Sequence, residues 1–392
     1  MIDFNFVIPT KIFFGVDKEK EVGKIIKDYG FSKVLVHYGK SSVVKSGLLD
    51  VVLNSLKENN IDYVLQGGVE PNPKLSFVKE TIELARRENI DFILAVGGGS
   101  VIDSTKSIAA GFYYDGDPFD FNLKKAELVK NLPFGTILTI SAAGSELSTS
   151  CVISDEDTKI KRGFNNELNR PLFSIMNPKL TYSVSPYQTA CGIVDIMMHT
   201  LERYFSKSSE IELSDDLSIG LLKNVYQAGR KVMSAPEDYD ARANLMLASS
   251  ISHAGYTSIG KNYTMPVHQL EHVLSGVYDH VAHGAGLAVL FPAWAFTVYK
   301  YDIKKFARLA REVLEVSPTN DEDDALQGIV KLQQFFEEIG MPVYLEDLNV
   351  IDYDMELFVN ILTNNGTYKV SSIGGPIDKE LAIKIFEKAS RR

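Results

Sequence analysis

The stretch FILAVGGGSVIDSTKSIAA, residues 92–110, is the strongest indication of the fold of the first half of the chain. Phe92–Val96 is a short apolar run, typical of a strand that is buried on both faces. It leads directly into Gly97-Gly98-Gly99-Ser100, and a helical pattern continues over Val101–Ala110. Glycines at such a turn let backbone N–H groups approach a phosphate, whose charge the helix N-terminus favours. The stretch therefore predicts either a phosphate-binding turn or, as the plainer alternative, a tight turn that uses glycine for steric reasons.

The flanking segments repeat the same alternation of strand and helix. Val34–Tyr38 and Thr136–Ile140 are further apolar runs rich in β-branched residues, while Gly47–Glu58 and Lys74–Glu88 are amphipathic with helical spacing. Strands that alternate with helices indicate βαβ units and a parallel sheet. We therefore predict a Rossmann-like, dinucleotide-binding α/β domain over residues 1–180. At its start, Phe4–Val7 and Lys11–Gly15 are expected to pair as a small antiparallel addition.

After about Pro178 the pattern becomes helical. Ser185-Pro186 has the form of a helix start, with a serine N-cap and proline at the first helical position. An all-helical second domain is predicted over residues 181–392. Its helical stretches are Pro186–Phe205, Glu210–Met233, Tyr239–Ala254, Gly286–Tyr301, Asp324–Gly340 and Lys379–Arg391. A crevice between two such domains is the usual place for a ligand.

Composition excludes several classes of function. The 41 basic and 51 acidic residues give a net charge of −10, which argues against a general nucleic-acid surface or an anionic-membrane surface. Two cysteines, Cys151 and Cys191, are too few for a disulfide framework and indicate a reducing compartment. No basic signal sequence opens the chain, and no apolar run approaches the roughly 20 residues that a membrane helix needs. We expect a cytoplasmic protein without nucleic-acid or membrane partners.

The histidines point to a metal site. Asp195 and His199 are four residues apart, so both side chains lie on one face of a helix, in an otherwise apolar stretch. A carboxylate there needs a partner to offset its desolvation. His268 and His272 form a second pair with the same spacing, and His283 precedes a glycine-rich segment. One oxygen and up to three nitrogen ligands suit a borderline divalent cation such as Fe²⁺ or Zn²⁺.

Not every histidine is expected to bind the metal. His280 competes with His283 for the last position, and a spare histidine beside a metal is a natural general acid or base. His37 and His253 are interpreted as structural or surface residues.

Taken together, several motifs resemble the iron-containing (group III) alcohol dehydrogenases, in particular the branch of butanol dehydrogenases and aldehyde reductases. The resemblance covers essentially the whole chain. It rests on GGGSVID at 97–103, AAGSELS at 142–148, NPKLTY at 177–182, PYQTA at 186–190, HTLE at 199–202, HQLEH at 268–272 and HGAGL at 283–287.

The resemblance implies roles for particular residues. It implies one divalent metal, Fe²⁺ or Zn²⁺, held by Asp195, His199, His268 and His283, with His272 beside the substrate as a proton relay. The implied cofactor-binding residues are Gly97, Gly98, Gly99, Ser100 and Asp103 in the first motif, together with Thr139, Ser148 and Lys161. It also implies a small primary alcohol or aldehyde of the butanol and butanal type as substrate, and a homodimer.

The turn after the first predicted strand bears on the choice of cofactor. It reads Gly39, Lys40, Ser41 and Ser42, without the carboxylate that would accept the 2′-hydroxyl of NAD. A lysine, two serines and open N–H groups suit a 2′-phosphate instead. The branch that the chain resembles also carries serine here and favours NADP. We therefore predict that NADP(H) is favoured over NAD(H).

Four other functions remain open at this point. A dehydroquinate-synthase-like lyase or a glycerol dehydrogenase would keep the fold and the metal. A metal-dependent hydrolase would keep the metal alone, and it would not need the glycine turn at 97–100. A non-catalytic binding protein would leave the histidine cluster unexplained.

Overall fold

A computed structural model of the chain describes residues 2–206 and 211–391, which form two compact units. One unit spans Val7–Val184. The other begins at Ser185 and is joined by the N-terminal residues up to Phe6. The fold class is confirmed, since the first unit is built on a parallel sheet and the second is helical.

The first unit contains a six-stranded sheet in the order β1-β8-β5-β4-β2-β3, with every pairing parallel. Its central strand β4 is buried at each of its six positions, as the uninterrupted apolar run 92–96 predicts. The strands of the chain are β1 Lys11–Phe14, β2 Lys33–Gly39, β3 Asp62–Val69, β4 Phe92–Gly97, β5 Phe134–Leu138, β6 Ser150–Asp155, β7 Ile160–Asn165, β8 Phe173–Met176, β9 Val370–Ser372 and β10 Gly375–Ile377.

Helices cover both faces of this sheet. Buried residues of α1 and α3 pack on one face, and those of α4 and α5 pack on the other. The predicted helices at 47–58 and 74–88 are present, with each end shifted by at most one residue. The helices of this unit are α1 Val22–Asp28, α2 Ser42–Lys45, α3 Leu48–Glu58, α4 Leu75–Arg87, α5 Gly99–Gly111 and α6 Phe119–Asn122.

The order of the strands reverses between β2 and β4. The chain leaves β2 to place β3 on one side and then returns to place β4 on the other. In open α/β sheets ligands bind outside the carboxyl ends of the strands at such a switch point. Here those ends are Gly39 and Gly97.

One local prediction for this unit was wrong, and one hairpin was not predicted. Lys11–Phe14 is an edge strand that pairs parallel with β8, whereas Phe4–Val7 forms no strand, so the antiparallel addition was wrong. The open edge of β8 supplies a parallel partner that the sequence around Lys11 does not reveal. A hairpin of β6 and β7 follows the AAGSE loop and was not predicted.

The second unit consists mainly of helices around one large apolar core. Its helices are α7 Pro186–Tyr204, α8 Glu212–Ser234, α9 Tyr239–Ala254, α10 Pro266–Val277, α11 His283–Val298, α12 Ile303–Glu312, α13 Asp321–Glu338, α14 Met355–Thr363 and α15 Lys379–Lys388. Each predicted helical stretch corresponds to one of these, although Glu210, where one was expected to start, lies outside the described residues. The short antiparallel hairpin of β9 and β10 departs from the all-helical expectation.

Among the helices that the structure describes, none is long and apolar enough to cross a membrane.

Candidate active site

Three helices bring the predicted metal ligands together. Asp195 and His199 lie one turn apart on α7, His268 lies in the first turn of α10, and His283 is the first residue of α11. The Oδ1 atom of Asp195 is 3.3 Å from Nε2 of His199, 3.6 Å from Nε2 of His268 and 3.9 Å from Nε2 of His283. Donor atoms of Asp195, His199 and His268 all lie within 4.8 Å of one another, and His283 approaches this group at Asp195.

The spacing and chemistry of these atoms fit a divalent cation. Ligand atoms about 2.1 Å from a tetrahedral ion lie roughly 3.4 Å from one another, close to the separations around Asp195. Oδ1 of Asp195 and Nε2 of His268 are buried and have no hydrogen-bond partner within the described ranges. Burying such atoms unsatisfied is costly, and a cation between them would remove that cost. The residues present therefore fit a resident metal ion.

Two buried glutamates bond the Nδ1 atoms of His268 and His283, while the Nε2 atoms of these rings lie towards Asp195. A carboxylate oxygen of Glu202 bonds Nδ1 of His268, and its other oxygen accepts a hydrogen bond of 2.6 Å from the Val267 N–H. A carboxylate oxygen of Glu271 bonds Nδ1 of His283. Neither glutamate was predicted from the sequence to take part in the site, although both stand inside the motifs HTLE and HQLEH.

The protonation of the histidines differs because their surroundings differ. Burial lowers the pKa of His199 well below its usual value, and the neighbouring His253, whose ring stacks at 3.9 Å, lowers it further. Burial opposes protonation of His268 as well, but Glu202 and Asp195 outweigh it and raise the pKa to about 9 in the metal-free site. His253 thus lies against the cluster, closer to it than its interpretation as a structural or surface residue suggested.

The remaining histidines occupy different positions. His272 is half-buried beside the cluster, with its ring centre 5.6 Å from that of His283 and 6.4 Å from that of His268. Nε2 of His280 lies 3.0 Å from the carbonyl oxygen of Leu348, so this ring is engaged away from the four converging ligands. His37 is fully buried in the other unit.

The glycine turn lies at the carboxyl edge of the sheet in the first unit. Gly97 ends β4, Gly98 is the N-cap of α5, and Gly99 and Ser100 begin that helix. A Cβ atom on Gly98 would lie 2.3 Å from Cγ2 of Ile140, so this position has no room for a side chain. The helix therefore begins with N–H groups that no side chain of its N-cap residue covers.

A buried lysine of α5 holds the segment that follows β5. Lys106 of α5 donates hydrogen bonds to Oγ of Ser145 (2.8 Å) and to the carbonyl oxygens of Ser150 (2.6 Å) and Ser148 (3.1 Å). Asp103 accepts from the Ser145 hydroxyl at 2.5 Å, and burial raises the pKa of its carboxyl group. Lys106 was not singled out from the sequence, where a lysine in an amphipathic helix normally indicates a solvated face.

Three other predicted cofactor residues lie in the segment after β5 and on β7. Ser148 is fully buried and its hydroxyl accepts from the Ser150 N–H, so it belongs to the internal bonding of the loop. Thr139, half-buried just after β5, donates its N–H to the carbonyl oxygen of Gly97. Lys161 lies on β7, where its charge lowers the pKa of Asp103 against the effect of burial.

The turn after β2 contains a feature that its own sequence does not reveal. Gly39, Lys40, Ser41 and Ser42 lie at the end of β2 and the start of α2. The ammonium group of Lys40 forms an exposed ion pair of 2.5 Å with Glu70, which directly follows β3. The turn lacks a carboxylate of its own, but the parallel pairing of β2 with β3 supplies one.

Two sequence models of one family match this chain. The model described as "Iron-containing alcohol dehydrogenase" covers residues 9–178, and "Fe-containing alcohol dehydrogenase family, C-terminal" covers residues 189–370.

Similar proteins and structures carry related names. NADH-dependent butanol dehydrogenase A of Clostridium acetobutylicum is 39% identical over 99% of this chain and 100% of its own length. The NADPH-dependent aldehyde reductase YqhD of Escherichia coli is 33% identical over 99% of this chain and 100% of its own length. The crystal structure of NADH-dependent butanol dehydrogenase A from Thermotoga maritima superposes with a TM-score of 0.95, at 36% identity, covering 100% of this chain and 99% of that one.

Proposed function

Since this chain belongs to the iron-containing alcohol dehydrogenase family and is an alcohol or aldehyde oxidoreductase, we propose that it interconverts small primary alcohols and aldehydes of the butanol and butanal type. The main support is the close grouping of donor atoms from Asp195, His199 and His268, with Nε2 of His283 3.9 Å from Oδ1 of Asp195. The nicotinamide cofactor that the family uses supplies the hydride chemistry.

We propose that Asp195, His199, His268 and His283 hold one Fe²⁺ or Zn²⁺ ion. When bound, that ion would polarise the oxygen of the substrate and stabilise charge that develops on it. Asp195 contributes the one negative charge among these ligands, while the three imidazoles bind in their neutral form. The burial of Asp195, His199 and His268 keeps water away from the donor atoms and strengthens their hold on a cation.

We assign proton transfer to His272. It lies beside the cluster and is half-buried, so it borders both the ligands and more open space. A histidine with a pKa near neutrality can carry a proton between the substrate oxygen and solvent at physiological pH. The ribose hydroxyl of the cofactor is a second route for the same proton.

For the cofactor, we propose that Gly97, Gly98, Gly99 and Ser100 receive the pyrophosphate at the N-terminus of α5, with Thr139 and Lys161 nearby. Support comes from their place at the carboxyl edge of the sheet, next to the strand-order reversal. Asp103 and Lys106 would act indirectly, because their hydrogen bonds hold the loops.

We further propose that NADP(H) is favoured over NAD(H), by a small margin. Lys40, Ser41 and Ser42 offer a cation and hydroxyls to a 2′-phosphate, whereas Glu70 partly neutralises Lys40. Lys40→Ala should lower kcat/KM for NADPH about tenfold while leaving NADH nearly unchanged, and Glu70→Gln should favour NADPH further. Lys57→Ala, in the last turn of α3 at the opposite edge of the sheet, is the control. A wild-type preference for NADH that neither variant alters would refute this assignment.

The reaction itself is tested by following NADPH and NADH oxidation with butanal before and after chelation, and again after Fe²⁺ or Zn²⁺ is added back. We expect metal-dependent oxidation in the wild type. Asp195→Ala should lose both bound metal, measured by elemental analysis, and activity. Metal bound unchanged in Asp195→Ala would contradict the ligand assignment, and no turnover with any metal or cofactor would favour a lyase on this fold. A cytoplasmic homodimer remains the prediction from the sequence.

A further inference from the structure

We propose that Glu202 and Glu271 are positioning residues that orient two of the metal-binding histidines, an inference that rests on the metal site proposed above. Both side chains are almost completely removed from solvent, with Glu202 2% and Glu271 0% exposed. Neither carries a ligand atom for the ion in the arrangement around Asp195. Each instead bonds the ring nitrogen that faces away from the ion.

The contacts determine which nitrogen of each ring is available. An ionised carboxylate is purely an acceptor, so the Nδ1 atom that bonds it must carry the proton. Glu202 therefore keeps a proton of His268 on Nδ1 and leaves Nε2, which lies 3.6 Å from Asp195 Oδ1, as the nitrogen that can bind a cation. Glu271 does the same for His283, whose Nε2 lies 3.9 Å from that oxygen. When a cation displaces the proton from Nε2, Nδ1 keeps its proton, so the glutamates favour the tautomer that binding needs.

Each glutamate is itself held in place. The second oxygen of Glu202 accepts the N–H of Val267, at the start of α10, so the carboxylate bridges the backbone and the ring of neighbouring residues. Glu271 packs against Gly286, where a Cβ atom would lie only 2.9 Å from Cγ of Glu271. Gly286, the second glycine of the HGAGL motif, therefore makes room for the Glu271 side chain that bonds His283.

The two contacts also link the ligand-bearing helices in sequence. Glu202 on α7 holds a histidine of α10, and Glu271 on α10 holds a histidine of α11. His199 has a different neighbour, since its Nδ1 atom lies 3.4 Å from a guanidinium nitrogen of Arg203. The carboxylate support is therefore specific to the two histidines that come from helices other than α7.

Removing such a support weakens metal binding because the ring can rotate or adopt the other tautomer, and because the imidazole becomes a poorer donor. The usual loss is about 10- to 100-fold in metal affinity. A glutamine in either position keeps the shape but removes the charge, and its NH₂ group can face Nδ1 and select the wrong tautomer.

The experiment measures the Kd for Zn²⁺ of the chelator-treated full chain by competition with a chromophoric chelator, for Glu202→Gln, Glu271→Gln and the wild type. The visible absorption of bound Co²⁺ reports the coordination geometry. We expect a Kd raised about 10- to 100-fold in each variant and an altered Co²⁺ spectrum. Glu202→Asp and Glu271→Asp, which retain the charge, should recover part of the affinity.

The matched control is Glu19→Gln. Glu19 is a buried carboxylate of the other unit, 6% exposed, that accepts from the Asn177 amide at 3.0 and 3.2 Å. Its Kd should equal that of the wild type, and circular dichroism checks that each variant is folded. If one glutamine variant fails to fold, the other and the aspartate variants decide the matter.

The binding results distinguish a failure of the positioning role from a failure of the metal site itself. A wild type that binds no divalent ion would refute the metal site itself. A wild type that binds one ion, with Gln variants of equal affinity and unchanged Co²⁺ spectra, would overturn the positioning role and leave the proposed function intact.

Discussion

Oδ1 of Asp195 lies within reach of Nε2 of all three converging histidines, at 3.3, 3.6 and 3.9 Å. A single carboxylate among neutral imidazoles sets the charge of the cluster, which is why its loss should be more damaging than the loss of one nitrogen. The spare histidine of the same segment, His272, has a different expected effect because it lies beside the donor atoms.

We expect His272→Ala to retain the metal and to lower kcat by about 10²- to 10⁴-fold, the range typical of a lost general acid or base. KM for the aldehyde should change little, because the substrate oxygen is held elsewhere. Steady-state kinetics at several pH values measures kcat and KM, and metal analysis of the same sample measures the bound ion. A normal kcat and pH profile would assign the proton step to the cofactor ribose instead.

His37 is expected to make the stability of the first unit depend on pH. Burial lowers its pKa to about 4, while its ring nitrogens lie 3.1 Å from the Gln66 carbonyl oxygen and 2.9 Å from Oγ of Ser104. Between its unfolded pKa, about 6.5, and the folded value, the unfolded chain binds more protons. Stability should therefore be fully present above pH 6.5 and decline by roughly 3 kcal/mol as the pH falls through 4.

The measurement is urea unfolding of the wild type and His37→Asn between pH 7 and 4. The variant should lose less stability over this interval, because asparagine does not titrate. Equal slopes in the two proteins would show that His37 is not responsible.

At the level of elements, the site depends on how closely helices approach. The first turn of α11 carries His283 and packs against α7, which carries Asp195 and His199. Gly284 permits this contact, since a Cβ atom there would lie 2.3 Å from the carbonyl oxygen of Cys191. That neighbour is backbone, so it cannot rotate away as a side chain would.

We expect Gly284→Ala to push α11 from α7, to destabilise the chain by about 1–3 kcal/mol, and to weaken Zn²⁺ binding by displacing His283. Gly220→Ala is the control, because this helical glycine of α8 has nothing within 4 Å of the added Cβ atom. It should raise stability by up to about 1 kcal/mol and leave the Kd unchanged. Zn²⁺ affinity equal in both variants would contradict the packing argument.

At the level of the molecule, each compact unit contains one set of candidate residues. The proposed cofactor residues all lie within Val7–Val184, and the proposed metal ligands all lie after Ser185. Because the proposed ion would join residues of α7, α10 and α11, its binding energy is expected to stabilise those helices before anything else.

Metal removal should therefore act locally. An ion present at about 100 times its Kd contributes roughly 2.7 kcal/mol to the stability of the state that binds it. After chelation we expect amide hydrogen exchange to accelerate in α7, α10 and α11 and to stay unchanged in β2, β4 and β5. Re-addition of Zn²⁺ should restore protection. Uniform acceleration along the whole chain would contradict a local effect.

The sequence predicts the elements of the fold more completely than their partners. The run at 92–96 and the stretches at 47–58 and 74–88 predict their own secondary structure. An uninterrupted apolar run fits a strand that is buried on both faces, and helical spacing of apolar residues fits a helix that is buried on one face. The pairing partner predicted for Lys11–Phe14 was wrong. An edge strand can pair with any open strand edge, and the residues of the edge strand do not indicate which strand that will be.

The same division applies to the site. The spacing of Asp195 and His199 pointed to a metal site, because residues one turn apart share a helix face, and the family resemblance implied His268 and His283 as further ligands. The roles of Glu202, Lys106 and Glu70 escaped sequence analysis. Each acts through a residue that is distant in the chain or on another strand or loop.

The sequence alone determined the α/β and helical halves of this protein, its family resemblance and the residue types that could bind a cation. The tertiary structure decided which atoms meet: three imidazole nitrogens around Asp195, carboxylates behind His268 and His283, and Glu70 against Lys40. The physical reason is that periodicity and motif spacing are local properties of the chain. Contacts between elements depend on packing, which brings together residues that the sequence keeps apart.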